Sequence, residues 1–178
     1  MNGRAKQYTR SVRVADILPD DAAYVSAYGR LPVWRRRKCD SYRFMPDRRR
    51  SVAAWLLLRQ MLAERGLDAD ALPVIVNEFG KPAFDSAQGP RFSLSHAGDR
   101  VMAAVSDSEV GCDVERIVPI DGGMLKLNLV DVERTHLAAL SGEALDRAFI
   151  RLWVRKEGYV KAVGCESSAW RRFEHSTL

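Results

Sequence analysis

No stretch of the 178 residues approaches the roughly 18 consecutive apolar residues of a membrane span. The first ten residues, MNGRAKQYTR, place no apolar core behind their charges either. A membrane span and a cleaved leader are thus both disfavoured, and a soluble, cytoplasmic protein is expected. Cysteine is scarce: Cys39, Cys112 and Cys165 are odd in number, far apart and without CxxC spacing. Neither a disulfide framework nor a zinc site is indicated, and free thiols are expected. Low-complexity linkers are absent as well. With 47% hydrophobic residues the chain can fill one sizeable domain or two small lobes, which excludes fibrous and disordered classes.

What the sequence does contain is concentrated charge. The net charge is +5, yet residues 30–50 alone carry nine basic side chains against Asp40 and Asp47. A local field of that size attracts polyanions. A solvated basic face, a nucleic-acid patch and a phosphate site are all compatible with it, and composition does not choose among them.

Periodicity gives alternating strands and helices. Residues 11–17 read as a strand with Val12 and Val14 on one face, and residues 46–65 as a helix with Pro46 in its first turn and Gly66 after its last. Val52, Trp55, Leu56, Met61 and Leu62 supply its apolar stripe. The arginines at its front then stand beside backbone N–H groups that favour anions, which makes Arg50 and Ser51 candidate phosphate contacts. Short apolar runs at 72–76, 91–95, 101–105 and 110–114, punctuated by Gly80-Lys81-Pro82, Gly89-Pro90 and Gly98-Asp99, predict a small sheet with hairpin connections. Residues 117–128 read as a loop, 131–140 as a short helix and 143–163 as a longer one. The order predicts an α+β protein.

Three acidic side chains stand out in two short segments. Asp113 and Glu115, in VGCDVE, are two apart and share a face if the segment is a strand. Glu157, in WVRKEGYVKAVG, shares a helix face with Trp153 and Lys161. Convergent carboxylates in a basic protein suit a hard divalent cation beside a phosphate-bearing substrate. Taken singly, each segment is also compatible with an exposed strand end next to Arg116 or a surface Glu-Lys pair. Ser93, Ser95 and His96 in FSLSHAGD alternate along a strand, but no acid is positioned by sequence to complete a hydrolase.

The ordered blocks RRRKCDSYRF, RRRS, NEFGKPAF, FSLSHAGDRVMAAV, VGCDVE and WVRKEGYVKAVG, over residues 34–164, resemble the Sfp-type phosphopantetheinyl transferases. The separation of about forty residues between the Asp-x-Glu and Lys-Glu motifs is similar too. The resemblance implies transfer of the phosphopantetheine arm of coenzyme A onto a serine of an apo acyl or peptidyl carrier protein, releasing 3′,5′-adenosine bisphosphate. It implies magnesium held by Asp113, Glu115 and Glu157, with Lys161 neutralising the pyrophosphate and Glu157 as a candidate base. Lys81 and Pro82, with Ser95 and His96, are implied nucleotide and phosphate contacts. Arg35, Lys38 and Ser51, with Arg49 and Arg50 beside them, are implied at the 3′-phosphate. Nucleic acid is not an expected partner.

The implied fold is a pseudo-dimer of two lobes, each packing a long helix on a small antiparallel sheet. Residues 1–109 would form the first lobe and 110–178 the second. Family chains continue well past the Lys-Glu helix, whereas only CESSAWRRFEHSTL follows it here, polar and without strand alternation. The second lobe is therefore expected to be incomplete and the helix at 143–163 to lose cover from Leu145, Phe149, Leu152, Trp153 and Val160. Self-association through that face is the consequence expected. Coenzyme A or carrier binding without turnover, and a nucleic-acid-binding module, are the alternatives.

Overall fold

A computed structural model describes residues 6–85 and 89–165. Helix α4, Met45–Ala63, organises the first half of the protein. Pro46 stands in its first turn, where a missing N–H costs no helical bond, and Gly66 follows its end at φ 73°. Val52, Trp55, Leu58, Met61 and Leu62 on this helix are fully buried. Each such side chain contributes about 1.5–3 kcal/mol relative to exposure, so this helix is the main anchor of the core.

The helix packs on a three-stranded antiparallel sheet of β1 (Gln7–Arg13), β4 (Arg91–Ala97) and β5 (Arg100–Ser106), in the order β1-β5-β4. Strand alternation sends Val101, Ala103 and Val105 into the core with Phe92 and Leu94. Met102 and Ala104 face the other way and meet Val110 and Cys112. The short helices α1 (Val14–Ile17), α2 (Asp21–Gly29) and α3 (Val33–Asp40) close the same core with Leu18, Tyr24, Leu31 and Cys39. Asp20 caps α2 by accepting the Ala23 N–H at 2.7 Å. Strands β2 (Val74–Val76) and β3 (Pro82–Phe84) form a separate antiparallel hairpin.

A second core belongs to helices α5 (Gly122–Asn128), α6 (Asp131–Leu137) and α7 (Gly142–Val163). Leu129, Leu137, Phe149 and Ile150 form its centre, with Leu145, Leu152 and Trp153 packed around them. A buried Lys156–Glu133 ion pair ties α6 to α7, and the same ammonium donates to the Asn128 carbonyl at 2.8 Å. The protein is thus the mixed helix-and-sheet architecture that the pattern predicts. No helix among the described residues is long and apolar enough to cross a membrane.

Several local expectations are corrected. The first strand begins at Gln7 and ends at Arg13; Val14, expected in it, opens α1, and its N–H, which has no partner within the helix, donates to the Asp99 carbonyl at 2.7 Å. Residues 110–114 form no strand, and two of their N–H groups go to serine hydroxyls of β4. The expected loop at 117–128 contains α5, for which Asp121 is the N-cap, accepting the Met124 N–H at 2.8 Å. Helices α2 and α3 and strand β3 had no counterpart in the periodicity. The cover expected to be missing from α7 is supplied in part by α5 and α6, which leave Phe149 only 1% exposed. The polar segment after Cys165 lies outside the described residues.

Candidate active site

A cleft of about 930 Å³ runs from α3 to the C-terminal end of α7, with the 77–82 turn and the end of β4 between them. That is a volume suited to a cofactor-sized molecule. Its two ends carry opposite chemistry.

At one end stands Arg35, 6% exposed. One guanidinium nitrogen donates to the Ser51 carbonyl at 2.7 Å and to its Oγ at 3.0 Å, while Nε has no partner among the described residues. The guanidinium lies 6.0 and 5.7 Å from the Trp34 and Trp55 ring centroids. Burial lowers its proton affinity, and no carboxylate among the described residues pairs with it. A buried cation without a counter-ion is costly unless an anion arrives. Lys38 lies over Tyr42, its ammonium 5.2 Å from the ring, and Tyr42 packs edge-on against His96. His96 is held below its ordinary value by burial first, then by Arg50 and Arg35, which favours the neutral imidazole.

At the other end, the segment after β5 is laced to β4 by hydroxyls. Ser93 Oγ accepts the Cys112 N–H at 3.1 Å, and Ser95 Oγ accepts the Val114 N–H at 3.3 Å. Ser95 in turn donates to Asp113 Oδ1 at 2.6 Å. Lys161, from α7, reaches the same oxygen at 2.6 Å and Ser95 Oγ at 3.1 Å. The approach of α7 depends on Gly111, because a Cβ there would lie 1.8 Å from the Gly158 carbonyl oxygen and 2.4 Å from the Ala162 nitrogen. Only a glycine allows that contact.

Glu157 stands half-buried in the field of Lys161 and Asp113. Burial pushes its carboxyl above the ordinary range, Lys161 pulls it back, and Asp113 pushes it up again. No ion pair or hydrogen bond engages its carboxylate among the described residues. Glu115 is exposed, its Oε1 accepting the Arg116 N–H at 2.7 Å. As placed, no three carboxylate, histidine or cysteine groups among the described residues are gathered to hold a metal ion. The donors themselves are hard oxygens, and the partnerless Glu157 beside Asp113 suits a divalent cation.

The candidate residues therefore divide. Arg35, Lys38, Lys81, Pro82, Ser95, His96, Asp113, Glu115 and Lys161 line the one cleft. Ser51 lies behind its wall, fully buried, as the acceptor that holds Arg35. Arg50 is bound to Asp47 and to the Gly98 carbonyl at 3.0 Å, and Arg49 to Asp21 and the Leu18 and Asp20 carbonyls. Lys81 points to protein acceptors, Glu109 Oε2 at 2.5 Å and the Ala162 carbonyl at 2.6 Å. Trp34, Tyr42, Asn77, Glu109 and Gly111 had no sequence signal of their own; only the GKP and DVE neighbourhoods pointed toward the last three.

Residues 109–178 match the sequence profile of the 4'-phosphopantetheinyl transferase superfamily. A 4'-phosphopantetheinyl transferase of Salmonella typhi, AcpT, is 42% identical over 124 residues, covering 67% of this chain and 62% of the relative. The chain belongs to the 4'-phosphopantetheinyl transferase superfamily. Similar, too, are psf-1 of Bacillus pumilus, 31% identical over 131 residues and covering 73% of this chain and 56% of the relative, and Sfp of Bacillus subtilis, 27% identical over the same length and covering 73% and 58%. Both carry the name 4'-phosphopantetheinyl transferase. The chain thus spans 56% to 62% of the length of these superfamily relatives.

Proposed function

We propose that this chain transfers the 4'-phosphopantetheine group of coenzyme A to a serine of an acyl or peptidyl carrier protein. The observation that carries this is the polarity of the cleft. A buried arginine with no counter-ion among the described residues marks one end, and the cluster of Lys161, Asp113 and Ser95 marks the other, with Glu157, unpaired among the described residues, beside it. Coenzyme A has a complementary layout, with a 3′-phosphate at one end of its nucleotide and a pyrophosphate further along.

Arg35 and Lys38 would take the 3′-phosphate, Ser51 fixing the guanidinium from behind and Arg50 adding charge from outside the wall. Pro82 and the Lys81 stem would form the nucleotide wall. His96, neutral, and Ser95 would face the pyrophosphate. A magnesium ion held by Asp113, Glu115 and Glu157 would neutralise pyrophosphate charge. Lys161 adds a fixed positive charge at the same place without needing to be deprotonated. The serine oxygen of the carrier attacks the β-phosphorus in line. Its bond to phosphorus forms as the bond to the bridging oxygen breaks, and that oxygen leaves on 3′,5′-adenosine bisphosphate. Glu157, directly or through a water, is the residue assigned to accept the serine proton. Orientation and charge do most of the work in such transfers.

The test is an incubation of purified protein with coenzyme A, magnesium and an apo-carrier protein, read by mass. The carrier should gain one phosphopantetheine. Folded protein that binds coenzyme A yet adds no mass would instead identify a binding protein without turnover, and binding competed by duplex DNA rather than coenzyme A would identify a nucleic-acid module.

A further inference from the structure

The turn at residues 77–81 connects β2 to β3, and its side chains reach past the hairpin to the end of α7. Asn77 uses both ends of its amide. Its Oδ1 accepts the Phe79 N–H at 3.0 Å and the Lys81 N–H at 2.8 Å, which builds the turn, and Gly80 completes it at φ 83°. Its Nδ2 donates to the Gly164 carbonyl at 2.8 Å, just past the last turn of α7. Lys81 donates to the Ala162 carbonyl at 2.6 Å, a cation placed on the negative end of the helix. Glu109 braces it at 2.5 Å and is itself braced by Arg91 at 3.2 Å. Gly164 sits at φ 69°, and a Cβ there would lie 2.9 Å from Lys81 Cδ and 3.0 Å from Asn77 Nδ2. The helix end and the turn are thus in close contact, and Lys161 lies one turn before that contact.

We propose that Asn77 and Lys81 are positioning residues that latch the C-terminal turn of α7, so that Lys161 and Glu157 are held against Asp113. Lys81 then acts through the helix rather than on phosphate. Orphan carbonyls at a helix end need partners, and without them the last turn frays. Here fraying would release Lys161 from Asp113, at a centre where displacement by about 1 Å can cost up to about 100-fold in rate.

The inference rests on the transfer proposed above only for its effect on turnover. Asn77→Asp separates the two uses of the side chain, since a carboxylate still accepts the turn N–H groups but cannot donate to Gly164. Its α7 amides from Val160 to Gly164 should exchange hydrogen about tenfold faster than in the wild-type protein, the scale of one lost hydrogen bond. Transfer should fall by about 10- to 100-fold in kcat, with the calorimetric Kd for coenzyme A essentially unchanged. Glu109→Gln, a surface change that leaves folding intact, should shift exchange and kcat in the same direction by less. Unchanged exchange in both variants overturns the latch. So does faster exchange with normal kcat, and so does a coenzyme A affinity that falls in step with kcat, because that is the behaviour of a ligand contact. A wild-type protein that transfers nothing would sink the proposed function and leave the exchange measurement to decide the latch.

Discussion

At the cationic end of the cleft the decisive contacts are short in sequence, Arg35 to Ser51 spanning 16 residues and Cys39 to Ser51 spanning 12. At the acidic end, Ser95 meets Asp113 across 18 residues, and Lys161 meets Asp113 and Ser95 across 48 and 66. The setting of Arg35 itself needs only α3 packed on α4. The acidic end exists only while α7 is seated on the segment after β5, through Gly111 and the 77–81 turn. Nucleotide binding and phosphoryl transfer should therefore be separable: damage at α7 should spare binding, and damage at α3 should spare the chemistry.

The largest effect that would sharpen this separation is expected at Glu157. In Glu157→Gln the site keeps its shape and loses the proposed proton acceptor, so transfer should drop by about 10²- to 10⁴-fold while coenzyme A still binds. Stability moves the other way. Because burial raises the Glu157 carboxyl above 4.5, the unfolded chain gives up this proton first as pH rises past 4.5, and the native state loses stability through that window. The glutamine variant lacks this loss. At pH 7, without divalent cation, it should melt no lower than the wild-type protein. A near-normal transfer rate would remove Glu157 from the mechanism.

A smaller effect is expected at the opposite end. Arg35→Met keeps a stem of similar length between Trp34 and Trp55 and removes the buried charge. The affinity for coenzyme A should fall by about 10- to 100-fold, the scale of a charge-assisted hydrogen bond of about 1.5–3 kcal/mol. Coenzyme A lacking its 3′-phosphate should bind the variant and the wild-type protein alike, and kcat at saturation should change little. Equal losses for both ligands would show that Arg35 shapes the whole cleft rather than binding the 3′-phosphate.

The same contrast of short and long range explains what the sequence revealed. Helix α4 was legible because Pro46, Gly66 and its apolar stripe are all local, and β4 and β5 because they flank one turn. The motif residues Asp113, Lys161 and Ser95 were legible as chemistry, and they do share one cleft. Their linkage was not, since VGCDVE alternates like a strand while its N–H groups go to Ser93 and Ser95 hydroxyls 19 residues away. The arginine run had structural partners that composition does not reveal. Arg48, Arg49 and Arg50 look like a phosphate patch, yet each donates to a carbonyl of its own fold, at Tyr42, Leu18 and Gly98 respectively. Asn77 stood in a quoted block, but its contact with α7 carried no signal, because its partner Gly164 lies 87 residues away.

The smallest effect concerns His96, which is felt by both ends, with Arg50, Arg35 and Lys161 all lowering its proton affinity and Asp47 raising it. Burial is the largest cause, so the folded protein holds this imidazole neutral to lower pH than the unfolded chain, whose value is 6.5. As pH falls below 6.5 the unfolded state binds the proton first, and stability drops until the folded imidazole also titrates. The slope in that window is at most about 1.4 kcal/mol per pH unit, the limit for one linked proton. His96→Asn should flatten it, leaving the melting temperature nearly level between pH 6.5 and the onset of carboxylate titration. Because an anion bound near Arg35 and Lys38 would offset the cations that depress His96, saturating coenzyme A should also reduce the wild-type slope. A slope unaffected by coenzyme A would mean that the ligand leaves those cations unscreened, and that the basic end of the cleft is not where its phosphate lies.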